Sequence, residues 1–96
     1  MKAQMIALNA GKGVEWWRVT LGDPGMDSEG TQLYGTADWD TCTITVREGS
    51  SALEVADSII HETLHVTCAN TLNEETITRM ATGAAGALSA LGYIKK

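Results

Sequence analysis

From Val14 to Gly22 (VEWWRVTLG) apolar and polar positions alternate, with Trp17, Val19 and Leu21 on one side. A period of two in a segment this rich in β-branched and aromatic residues predicts a strand. Gln32–Asp40 (QLYGTADWD) and Thr41–Glu48 (TCTITVRE) read as a second and a third. In the third, Cys42, Ile44 and Val46 face one way and Thr41, Thr43, Thr45 and Arg47 the other. Such alternation suits an antiparallel sheet with one solvated face. Between the first two strands, Asp23–Gly30 (DPGMDSEG) is loaded with turn formers and holds the only proline, which predicts a surface loop. Residues 1–13, a weakly apolar segment ending in Gly11-Lys12-Gly13, are assigned no element.

After Gly49-Ser50-Ser51 the period changes. Ser51 with Glu54 three residues on forms a capping box, and a helix is expected from Ala52 to about Ala69, with Leu53, Ala56, Ile60, Leu64 and Thr67 or Cys68 at helical spacing. Thr71–Glu75 interrupts it. A second helix follows from Glu74 to about Leu91, with Ile77, Met80, Ala81, Ala84, Leu88 and Leu91 as its apolar stripe and Gly92 as C-terminal stop. Gly83 and Gly86 each cost that helix about 1 kcal/mol relative to alanine, tolerable where a neighbouring helix approaches closely. The order β-β-β-α-α predicts one α+β domain over residues 1–96, a three-stranded antiparallel sheet followed by two packed helices.

Charge narrows the function. The 96 residues carry a net charge of −5, with no basic run apart from Lys95-Lys96, which argues against a nucleic-acid backbone or an anionic membrane surface as partner. The longest uncharged stretch, Met80–Ile94, is too short and too weakly apolar to span a bilayer. The N-terminal residues lack the apolar run of a signal peptide. Two cysteines, Cys42 and Cys68, are too few for a disulfide framework. A soluble cytoplasmic protein is the expectation; oligomeric state is open.

Both histidines of the chain lie in HETLH, His61–His65, inside the first helix. Residues four apart stand one above the other on a helix, so both imidazoles can reach one ion, and two such nitrogens suit zinc. Glu62 lies beside them without facing as a ligand, the arrangement of H-E-x-x-H, where the glutamate is the general base of a metallohydrolase. The competing explanation is a pair of half-buried helix histidines. A reactive zinc site needs a third protein ligand. A histidine six residues further on is ruled out, since Thr71 stands there. Counting by helical steps from Ile77 and Ala81 places Glu74 on the buried face of the second helix, and Glu75 with Arg79 and Thr82 nearer solvent. Glu74 could instead close a second capping box with Thr71. Cys68, one turn after His65, is a further candidate, although a buried structural thiol explains it more simply. Tyr34, Tyr93 and Arg79 are candidates for stabilising an oxyanion, and Asp38 and Asp40 for orienting a ligand histidine. Asp57 reads as a solvated position.

Taken together, YGTADWDTCTITV, a helix bearing HETLH, and LNEE opening a second helix resemble the minimal zincin-like metallopeptidase domains often encoded by phages, similar in style to the ImmA/IrrE and SprT-like groups. The likeness covers roughly Val14 to Leu91. It implies His61 and His65 as zinc ligands, Glu62 as catalytic base, Glu74 as third ligand, and a peptide or protein as substrate, in host-cell cytoplasm if the chain is phage-encoded. The alternative is a zincin fold kept for protein binding, with a structural metal.

Overall fold

A computed structural model describes residues 3–10, 13–49, 51–69 and 71–95. The chain runs β1 (Gln4–Asn9), β2 (Val14–Gly22), β3 (Gly35–Asp38), β4 (Thr43–Arg47), α1 (Ala52–Thr67) and α2 (Glu74–Ala90). The α+β class expected from the pattern is present, but the sheet is four-stranded and mixed. Its order is β1-β2-β4-β3, with β1 antiparallel to β2, β4 parallel to β2, and β3 antiparallel to β4. Two things correct the expectation of three antiparallel strands. The segment before Gly11 forms β1, where Ile6 sits opposite Trp17 and Ala7 opposite Trp16. β3 does not return beside β2 but leaves the place next to it for β4, so β3 becomes an edge.

Register places Ile6, Trp17, Val19, Leu21, Ala37, Ile44 and Val46 on one face of the sheet. Trp17 and Ile44 are fully buried there with Val46 and with Val66 of α1. Trp39 at the end of β3 meets Trp17 edge-on, ring centroids 5.1 Å apart. Trp16, one residue out of phase with the core, lies exposed on the other face. The β3–β4 connection turns on Cys42, whose φ of +49° is uncommon for a residue with a Cβ. Asp38 secures that turn by accepting a hydrogen bond from the Asp40 amide at 2.9 Å, so these two aspartates belong to the turn.

Ser51 caps α1 as expected, its hydroxyl accepting from the Glu54 amide at 3.2 Å. α2 is capped by Asn73, whose side chain accepts from the Thr76 amide at 2.8 Å, and not by Thr71. It ends on Gly92, at φ +86°, with the Gly92 and Tyr93 amides donating to the Ser89 and Leu88 carbonyls. This pairing satisfies carbonyls the helix end would leave free. The faces the helices bury differ from those expected. On α1, Val55, Ile59 and Val66 pack toward the sheet core, while Leu53, Ala56, Ile60 and Leu64 are half-buried. On α2 the buried row is Ile77, Ala81, Ala85 and Ser89, and Met80, Ala84, Leu88 and Leu91 are exposed. The cause is layering: among the described residues α1 packs against β1, β3 and β4 on one side and α2 on the other, whereas α2 packs against α1 alone. Among the described residues no helix is long and apolar enough to cross a membrane.

Candidate metal centre

Helical spacing on α1 stacks His61 over His65, and α2 runs back alongside so that its first turn meets them. Glu74 Oε1 lies 2.9 Å from His61 Nε2, and Glu74 Oε2 lies 2.6 Å from His65 Nε2. The two Nε2 atoms approach to 3.1 Å. Among the described residues these three side chains are the group of potential ligands that the fold brings together. The Asn73 cap fixes where α2 begins and so where Glu74 stands, and a hydrogen bond from the Thr82 hydroxyl to Asp57 Oδ2, 3.1 Å, ties the helices two turns further along.

The donor set can be tested against an ion. Zinc at about 2.0–2.1 Å from each ligand in a tetrahedron needs donors roughly 3.3 Å apart. The two Nε2 atoms, 3.1 Å apart, are close to that spacing; Glu74 faces each imidazole with a different oxygen, Oε1 toward His61 and Oε2 toward His65, and one donor atom from each of the three residues lies within 4.8 Å of the others. Two imidazole nitrogens and one carboxylate leave a fourth position open, as a hydrolytic site requires.

Glu62 occupies a different face. It falls in the α1 row of Val55, Ile59 and Val66, which is directed at the sheet, so its carboxylate is presented where that row expects an apolar side chain. Burial pushes the Glu62 carboxyl above the ordinary carboxylate value; His61 and His65 draw it partly back, and Glu74 adds to the rise. The sheet reaches it through Gly35. A Cβ built at Gly35 would stand 3.1 Å from Glu62 Cγ, 3.3 Å from the Thr45 carbonyl oxygen and 3.5 Å from Glu62 Oε2. Gly35 has an ordinary φ, so it is this approach and no backbone requirement that calls for glycine there.

These groups line a cleft of about 860 Å³ between β3 and the two helices. One wall is Leu33 to Ala37 with Trp39; the other is the α1 face from Glu54 to His65, with Glu74, Thr78 and Thr82 of α2. Of the three side chains considered for an oxyanion, Tyr34 lines the cleft, with the Arg47 guanidinium 4.2 Å from its ring centroid. Tyr93 and Arg79 do not line it. Glu74, placed by helical phase on the buried face, is itself 65% exposed at the start of α2; Glu75 is exposed too, and what separates them is that Glu75 lies outside the ligand group. Cys68 is a free thiol outside the His61–His65–Glu74 group, beside the Thr67 hydroxyl at 3.5 Å, and Cys42 is also free. Asp57, read from sequence as solvated, lines the cleft. Glu54 and Ser58 share the helical phase of His61, and Thr78 lies one turn after Glu74; Thr82, grouped by phase with Glu75 nearer solvent, lines the cleft instead.

Comparison of the chain with family models, with curated proteins and with solved structures gives no match.

Proposed function

We propose that this chain is a zinc-dependent hydrolase of peptide bonds, with His61, His65 and Glu74 holding the metal and Glu62 as general base. The observation that carries the reading is the convergence of three zinc-type donors beside a desolvated carboxylate in an open cleft. The resemblance of HETLH and LNEE to minimal zincin-like metallopeptidases supports the same assignment.

Zinc bound there supplies Lewis acidity, polarising a carbonyl and making water a better acid. The rest falls to the chain. Glu62, held against Gly35, receives the proton of the attacking water. The same carboxyl then delivers that proton to the leaving amine. Of the side chains considered for stabilising charge on the carbonyl oxygen, Tyr34 is the one that lines the cleft, and that role is assigned to it. Among the described residues β3 pairs with β4 alone, so along its other side an extended peptide can add as a further strand, presenting its backbone to the cleft.

The test is a diverse peptide library incubated with zinc-loaded protein and with its Glu62→Gln variant. Cleavage by the parent and not by the variant is expected. Equal silence from both, with zinc bound and the fold intact, would overturn the peptidase in favour of a metal-holding binding module.

A further inference from the structure

A helix that packs on one neighbour should be polar elsewhere. α2 is not. Beyond its buried row it carries Met80, Ala84, Ala87 and Leu91 at a spacing of 4, 3 and 4 residues, which aligns them in one seam. That is the spacing of the contact seam between paired helices. Gly83 and Leu88 flank it. Met80 is 46% exposed, Leu88 38% and Leu91 73%, with Tyr93 beyond the helix end at 79%. No charged residue occurs from Met80 to Ile94, in a chain of net charge −5. A Cβ at Gly83 or at Gly86 would meet nothing within 4 Å, so α1 does not approach either glycine as expected, although each costs the helix about 1 kcal/mol; Gly83 is the one that lies beside the seam.

From these observations we infer that the outer face of α2 is the interface of a two-fold symmetric dimer, in which α2 packs antiparallel against α2 of a second copy. Area sets the scale. The seam with its flanks and Tyr93 exposes roughly 600 Å², at the top of the range for apolar patches on monomers. Two copies would bury roughly 1,200 Å² together, the lower end of stable interfaces. Charge selects the occupant and the orientation. Copies of an acidic chain repel one another except where they are uncharged, and this is the longest uncharged stretch in the sequence. An antiparallel pair also opposes the helix dipoles and keeps the two acidic first turns, Glu74 and Glu75, at opposite ends. Alanines at the centre of the seam, with Gly83 beside them, let the helix axes approach closely. The cleft stays open, because the α2 residues lining it, Glu74, Thr78 and Thr82, lie on another side of the helix. The interface would also brace the helix that carries Glu74 and otherwise rests on α1 alone.

The inference stands apart from metal binding and is tested on the full chain with and without zinc. Sedimentation equilibrium at roughly 100 μM, well above the micromolar Kd suited to an interface of this size, is expected to give twice the chain mass. Ala87→Glu places two carboxylates at the centre of the seam and should raise Kd at least about 100-fold, while far-UV circular dichroism stays unchanged, glutamate being a good helix former. Met80→Lys, nearer one end, should weaken the dimer by a smaller factor. Gly86→Ala, on the opposite side of α2, should leave Kd unaltered. A monomer at roughly 100 μM, or an Ala87→Glu protein that dimerises like the parent, would overturn the inference.

Discussion

Gly35→Ala adds one methyl group at the narrowest point between β3 and α1. That methyl would lie 3.1 Å from Glu62 Cγ and 3.3 Å from the Thr45 carbonyl oxygen, where carbon atoms prefer about 3.5–4.0 Å. Glu62 can swing, but the Thr45 oxygen is backbone of β4 and paired within the sheet, so β3 and α1 must separate by a few tenths of an ångström. Overpacking of this kind costs about 1–3 kcal/mol, offset by about 0.5–1 kcal/mol because alanine has less chain entropy to lose than glycine. The net is a destabilisation of about 0–2.5 kcal/mol, centred near 1 kcal/mol, which in a domain of this length lowers Tm by roughly 4–8 °C at the centre of that range. Glu62→Ala removes Cγ and half of the clash. Thermal or urea unfolding of the metal-free parent, both single variants and the double variant then isolates the contact, with a coupling of about 1 kcal/mol expected. A cycle additive within about 0.3–0.5 kcal/mol would refute the close approach and with it the reason given for the desolvation of Glu62.

Three further outcomes follow from the site. In metal-free protein the raised Glu62 pKa means the folded state holds that proton more firmly than the unfolded state; the associated stability is complete below the ordinary value of 4.5 and is lost as pH rises through the folded value. Urea unfolding across mildly acidic to neutral pH should therefore show Glu62→Gln gaining on the parent as pH rises; a parent and variant with parallel profiles would contradict it. Asn73→Ala should cost about 1 kcal/mol as a lost cap and weaken zinc binding as well, since the frayed turn holds Glu74; titration calorimetry showing parental affinity would separate the cap from the site. Zinc at a hundredfold excess over its Kd should stabilise the fold by about 2.7 kcal/mol, raising Tm by roughly 10 °C or more, and a chelator should reverse the shift; an unchanged melt would mean that the metal does not bind the folded state selectively.

How much of this was legible in the sequence depended on whether a feature is local. β2 matches Val14–Gly22 because alternation around Trp17 and Val19 is a local signal, and Ser51 and Glu54 mark the start of α1 for the same reason. Meeting of Glu74 with His61 and His65 followed from helical phase once a tight helical turn was recognised. β1 was missed because only Ile6 and Leu8 of its six residues are strongly apolar and inward, at the edge of the sheet. The parallel pairing of β2 with β4 was not readable, since alternation is the same for either strand direction and the long loop from Asp23 decides the order. Of the expected α2 stripe Ile77 and Ala81 are buried but Met80, Ala84, Leu88 and Leu91 are not, because the helix is apolar on two rows and only packing against α1 distinguishes Ala85 and Ser89 from Ala84 and Leu88. Likewise Gly35 gave no sign of facing Glu62, a contact made across 26 intervening positions.

The most direct measurement is zinc titration calorimetry on the metal-free protein and a small set of variants, with elemental analysis of the dialysed products. One equivalent of zinc per chain is expected. Binding should be nearly abolished by His61→Ala or His65→Ala and strongly weakened by Glu74→Ala, and it should be retained by Glu75→Ala and Glu62→Gln. Less than a tenth of an equivalent in the parent after reconstitution, or affinity that survives His61→Ala and Glu74→Ala alike, would mean that the convergence of these three side chains is not a metal centre.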